Sequence, residues 1–151
     1  MDSSITHNIR QLRIEDAGRV FEISDEVHRR VGASLGAEWT REQIEQECFQ
    51  FGLVSCDASG VIQSFILYRD MGEAFEISFL ATATDASRHG RMRKLFEYFL
   101  AVLPANKRVW LEVHFANAPA RQMYEALGFR ESGKRPSYYP DGAVAVLYNY
   151  G

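Results

Sequence analysis

Two stretches of this sequence carry residue types that could do chemistry. The first, SRHGRMRKLF (87–96), sets Gly90 ahead of an apolar helical pattern and crowds Arg88, Arg91, Arg93 and Lys94 around one turn. Backbone N–H groups at a helix N-terminus converge on an anion. Cations placed there oppose the helix dipole, and an anion among them accounts for their presence. Met92 begins the apolar stripe that continues through Leu95, Phe96, Phe99 and Leu103. Its side chain either turns into the core or crowds the anion. The second stretch, RVWLEVHF (108–115), alternates as a strand does: Val109, Leu111, Val113 and Phe115 on one face, Trp110, Glu112 and His114 on the other. A carboxylate partly desolvated in a sheet cleft suits general-base work, so Glu112 is the base candidate. A salt-bridged carboxylate at a sheet edge is the plainer reading. Glu76 is the second choice of base, and His114 is held in reserve.

Other chemistries find little support. No nucleophile elbow such as GxSxG occurs, and no ligand cluster suggests a metal. Cys48 and Cys56 fall in no CxxC or Cys/His spacing and read as free thiols of a reducing compartment. A net charge of −3 argues against nucleic-acid binding by bulk electrostatics. The N-terminal MDSSITHNIR lacks an apolar leader core, and no run approaches the roughly 18 apolar residues of a membrane helix. The expectation is a cytoplasmic protein with no membrane contact. Its 151 residues, 46% hydrophobic and 25% charged, suit one domain spanning 1–151.

The elements that must position these residues follow from periodicity. NIRQLRI (8–14) reads as a strand. Val20, Ile23, Val27 and Val31 give helical spacing over Glu15 to Val31. Thr40 with Gln43 is a capping-box signature, opening a second helix striped by Ile44, Cys48 and Phe51. FGLVSC (51–56) and VIQSFILYR (61–69), joined by DASG, form a hairpin. AFEISFLATAT (74–84) is apolar on both faces in its second half, which places it centrally. A helix from Gly90 to Leu103 stops at Pro104. After strand 108–115, Asn117 caps a helix with Pro119 in its first turn and Gly128 past its end. FRESG and AVAVLYNY close the chain as a hairpin around PDG (140–142). The order β-α-α-β-β-β-α-β-α-β-β gives an α/β (α+β) domain: a central mixed, mostly antiparallel sheet of about seven strands flanked by four helices.

The block LEVHFANAPARQMYEALGF (111–129), after a helix opening at RHGRM and followed by SYYP (137–140), resembles the GNAT superfamily of acyl-CoA-dependent N-acetyltransferases. The likeness is greatest to the ribosomal-protein alanine N-acetyltransferase branch and covers about residues 8 to 150. It implies an acetyl group moved from acetyl-CoA, as co-substrate and without a metal, to a primary amine by direct attack in a ternary complex. It implies that Arg88, His89, Gly90, Arg91, Met92 and Arg93 hold the pyrophosphate. The pantetheine arm would pair with the backbone of Leu80, Ala81 and Thr82, with a contact from Asn117. Glu112 would take the amine's proton, directly or through water, and Tyr124 would protonate the departing thiolate. Tyr138 and Tyr139 would wall the acceptor, a protein N-terminal α-amine or a small-molecule amine.

Two departures bear on these expectations. Ser87 stands where the family has Gln or Arg, and Met92 stands where it has a second small residue. The chain also passes from PDG to AVAVLYNY without the acidic Glu-Asp-Ala of the branch, which shortens the hairpin. A non-catalytic or degenerate module that binds acyl-CoA weakly or not at all is therefore the alternative. The Glu112/Tyr124 pair favours catalysis, because a binding module needs neither. Monomer and homodimer are both open.

Overall fold

The computed structural model describes residues 8–31, 40–47, 51–83, 90–136, 138 and 142–151. Its strands are β1 (Asn8–Gln11), β2 (Phe51–Cys56), β3 (Ile62–Asp70), β4 (Ala74–Thr82), β5 (Arg108–His114), β6 (Arg130–Arg135) and β7 (Ala145–Tyr150). Its α-helices are α1 (Ala17–Val31), α2 (Arg41–Glu47), α3 (Arg91–Val102) and α4 (Ala118–Ala126), with a short 3₁₀ turn at Ile14–Asp16. The strands form one seven-stranded sheet in the order β1-β2-β3-β4-β5-β7-β6. Every neighbouring pair is antiparallel except β4 with β5.

Local chemistry sets the element ends. β1 stops at Gln11, short of the expected Ile14, because Asp16 captures the following chain. Its carboxylate accepts from the Arg13 N–H at 2.7 Å and from both Arg10 terminal nitrogens at 2.8 and 3.0 Å. The Thr40–Gln43 box forms reciprocally: the Gln43 N–H donates to Thr40 Oγ1 at 3.2 Å and the Thr40 N–H to Gln43 Oε1 at 2.8 Å. Phe51, expected in the stripe of α2, instead opens β2, where its ring stacks on Tyr68 at 5.6 Å. Cys48 lies outside the described residues.

Helices cover both faces of the sheet, as the two-sided apolarity of β4 requires. On one face Val20, Ile23 and Val27 of α1 and Ile44 of α2 pack on Val54, Phe65, Leu67, Phe79 and Ala81. On the other, Leu95, Phe96 and Phe99 of α3 and Tyr124 of α4 pack on Leu53, Ile66, Ile77, Val109, Leu111, Val113, Val146 and Tyr148. Among the described residues no helix is long and apolar enough to cross a membrane.

Candidate functional site

The parallel pair at the centre of the sheet comes apart. β4 and β5 pair only from Ala74 with Arg108 to Glu76 with Trp110. Beyond that point β4 stays with β3 as far as Thr82 opposite Ser64, while β5 stays with β7 as far as His114 opposite Ala145. The bend originates in β4. Phe79 faces Leu67 and Ile77 faces Tyr68, so Ser78 is an extra residue bulged out of the ladder. Its hydroxyl donates to the Leu67 carbonyl at 3.2 Å, which fixes the bulge. The bulge also exchanges the faces of β4: Phe75 and Ile77 point to the α3/α4 side, whereas Phe79 and Ala81 point to the α1/α2 side.

A cleft open to solvent occupies the gap. β4 contributes Ile77 to Leu80, β5 contributes Leu111 to His114, and the β5–α4 corner contributes Asn117 and Tyr124. The two chemically capable side chains approach from opposite faces of the sheet. Tyr124 is 3% exposed, its ring packed against Phe96, Phe129 and Tyr148 at 5.6, 5.7 and 5.9 Å between centroids. Glu112, on the face opposite Leu111 and Val113, has a side chain 12% exposed and pairs with Arg135 Nη1 at 3.3 Å. So Glu112 is both salt-bridged and inside the cleft, on a central strand rather than at an edge. Tyr138 hydrogen-bonds to it; burial, then that bond and the Glu112 charge, push the phenol's pKa up from its ordinary value.

His114 and Asn117 also line the cleft, each with a structural duty. His114 Nδ1 accepts from the Ala116 N–H at 3.0 Å, tightening the corner after β5. Asn117 Oδ1 accepts from the Ala120 N–H at 3.3 Å, which makes it the cap of α4. Glu76 sits on the same sheet face as Glu112, at the last paired position before the splay. The three β4 residues expected to meet an extended ligand, Leu80, Ala81 and Thr82, all pair with β3, opposite Ile66, Phe65 and Ser64, and of the three Leu80 lines the cleft.

At the start of α3, Gly90 takes φ 68°, the left-handed conformation that favours glycine, and has no side chain to cap the helix. Met92 packs against the apolar cluster of the α3/α4 side, so its side chain goes to the core. Arg91 is 6% exposed and turns inward, donating from Nη1 to Ser55 Oγ at 3.0 Å and to the Cys56 carbonyl at 3.3 Å. Arg93 pairs with Glu97 one turn on, at 3.1 Å. These two side chains therefore serve the fold, and an anion at this helix would meet their backbone amides. Ser87, Arg88, His89 and Tyr139 lie outside the described residues. No group of three or more His, Cys, Asp or Glu poised for a metal occurs among the described residues.

Sequence reasoning missed Ser78 and Arg135. A bulge leaves no mark in a strand that is apolar on both faces. Arg135 reaches Glu112 only through the β6–β7–β5 register, in which Glu112 faces Leu147 and Leu147 faces Gly133.

Comparison with known proteins gives this arrangement a context. Residues 13–129 match the family described as Acetyltransferase (GNAT) family. Over 63 residues the chain is 41% identical to the [ribosomal protein bS18]-alanine N-acetyltransferase of Salmonella typhimurium, a match spanning 40% of this chain and 43% of that relative's length. The fold is similar to that of the ribosomal-protein-S18-alanine N-acetyltransferase from Escherichia coli, with a TM-score of 0.83 at 24% identity, covering 95% of this chain and 92% of that one. It is also similar to yncA from Salmonella typhimurium, solved with its cofactor acetyl-CoA: TM-score 0.78, 15% identity, 96% and 93% covered.

Proposed function

The chain belongs to the acetyltransferase (GNAT) family, and from that premise we propose that it is an N-acetyltransferase moving an acetyl group from acetyl-CoA to a primary amine, with residues 1–151 acting as one domain. The observation that carries this reading is the cleft between the splayed strands, with Glu112 reaching it from one sheet face and Tyr124 from the other. The residues present suit the co-substrate. Past Glu76, β4 turns a backbone edge toward the cleft that β5 does not cover, which matches the amide-bearing arm of CoA. The N-terminus of α3, without a side-chain cap at Gly90, suits the pyrophosphate.

Acetyl-CoA supplies the thioester; everything else is asked of the chain. The backbone of Leu80, Ala81 and Thr82 holds the arm, with a contact from Asn117. The amides of residues 90–93, with Arg88 and His89, hold the pyrophosphate. Glu112 takes the proton of the incoming ammonium, directly or through one water, so that the neutral amine attacks in a ternary complex. Tyr124 returns a proton to the sulfur. Tyr138 and Tyr139 wall the acceptor. A peptide with an N-terminal alanine is the first acceptor to try, because the 41%-identical relative is named for alanine N-acetylation.

Calorimetry with acetyl-CoA on the wild type and a Met92→Gly variant tests the reading, together with thiol release in the presence of that peptide and of simple alkylamines. Micromolar binding with amine-dependent thiol release supports it. Binding by the glycine variant alone favours the degenerate module and would overturn the inward placement of the Met92 side chain. Binding by neither removes the CoA reading altogether.

A further inference from the structure

Arg135 stands on the acceptor side without a role in the scheme above. It ends β6, and the register through β7 carries its guanidinium to Glu112. There the Nη1–Oε1 distance is 3.3 Å, and the guanidinium carbon lies 5.7 Å from the centroid of the Tyr138 ring. Tyr138 is in turn hydrogen-bonded to Glu112 and feels the charge of Glu76. A carboxylate, an aromatic face and a second carboxylate nearby are what a monovalent cation seeks. In this chain the cation present is part of the protein.

The two partners are held unequally. The Glu112 side chain is 12% exposed and set in a central strand, whereas that of Arg135 is 52% exposed at a strand end. Glu112 is therefore the fixed member and Arg135 the one that can swing into water at little cost, since an ion pair with an exposed partner is weak. A primary amine arrives at neutral pH as an ammonium, with the same charge and the same need for Glu112.

We propose that Arg135 determines acceptor specificity by competing for the acceptor's place: its guanidinium lies where the acceptor's ammonium docks, against Glu112 and over the Tyr138 ring, and must leave when a cationic amine binds. The inference rests on the reading of Glu112 and Tyr138 as the acceptor side. Weakly binding monovalent amines are discouraged, and acceptors that add further contacts are selected.

The test is an NMR titration of the full chain with n-butylammonium chloride, for the wild type and the Arg135→Met, Arg135→Lys and Glu112→Gln/Arg135→Met variants. Removing the competitor tightens n-butylammonium binding by about three- to fivefold in Arg135→Met, the range open to one partly exposed ion pair. Arg135→Lys stays near wild type, and the double variant loses the gain. A purely structural Arg135 would not strengthen binding when removed. Equal or weaker binding by Arg135→Met overturns the proposal, as does the absence of n-butylammonium binding from every variant, or a gain that survives Glu112→Gln. Acetyl-CoA calorimetry on the same samples separates the two readings. An Arg135-dependent amine site without acetyl-CoA binding removes the proposed function and leaves the competitor standing.

Discussion

Arg91 and Ser55 meet in the interior of the protein: the guanidinium at the first residue of α3 donates to the Ser55 hydroxyl, 36 residues back on β2, at 3.0 Å. The same Nη1 donates to the Cys56 carbonyl at 3.3 Å, so the opening turn of α3 is tied to the end of β2. Removing the donor while keeping the stem, as in Arg91→Met, leaves a buried hydroxyl and a buried carbonyl short of a partner. The expected cost is about 1–3 kcal/mol in urea unfolding. If acetyl-CoA binds at this turn, its affinity falls as well, because the amides lose their fixed orientation. A variant as stable as wild type would show that the bond contributes nothing net.

Gly90 offers a purely conformational test. A Cβ built there meets nothing within 4 Å, yet φ is 68°. Gly90→Ala should destabilise by about 1 kcal/mol, the left-handed penalty less the entropy saved in the unfolded chain. Gly133 on β6 is the control, with no positive φ and a nearest contact of 3.8 Å to Leu147. Gly133→Ala should be neutral or slightly stabilising. Equal urea midpoints for the two alanine variants would contradict the conformational account.

What the sequence disclosed about this molecule was what local rules encode. Thr40 with Gln43, and Asn117 before Pro119, announce helix starts by side-chain chemistry alone, and both caps form. The spacing of Met92, Leu95, Phe96 and Phe99 placed all four against one apolar cluster. Phe51, at the junction of two periods, went to the strand because Tyr68 offers it a stacked partner across β3. Long-range register was hidden. The four cations around Gly90 look alike in sequence, yet Arg91 is buried against Ser55 while Arg93 stays on the surface with Glu97. Similarly, nothing local distinguishes Ser78, whose displacement opens the cleft, or Arg135, whose partner is two strands away.

Asp16 makes part of the stability depend on pH. It is 8% exposed, and burial alone would raise its carboxyl; the Arg10 guanidinium and the Arg13 N–H outweigh that and hold it below the ordinary value. A depressed folded-state value means the contribution is present above the unfolded value, about 3.9, and is lost as pH falls through the folded value. The stability gap between wild type and Asp16→Asn should therefore be widest near neutrality and shrink progressively below about pH 4. Urea melts of both proteins between pH 3 and 7 check this. A gap independent of pH would mean that the pair does not titrate with folding.

Tyr124 separates packing from chemistry most cleanly. Its ring is wedged among Phe96, Phe129 and Tyr148, and Tyr124→Ala should cost about 3–5 kcal/mol by opening a cavity there. Tyr124→Phe keeps the ring and removes only the hydroxyl, so stability should drop by no more than about 1 kcal/mol. If the hydroxyl returns the proton to sulfur, turnover falls by about 10²–10⁴-fold in the phenylalanine variant while acetyl-CoA affinity is nearly unchanged. Loss of affinity together with turnover would instead assign Tyr124 to cofactor binding. Unaltered turnover, with chemistry shown to be rate-limiting, would remove it from the mechanism and leave the departing thiolate to take its proton from water.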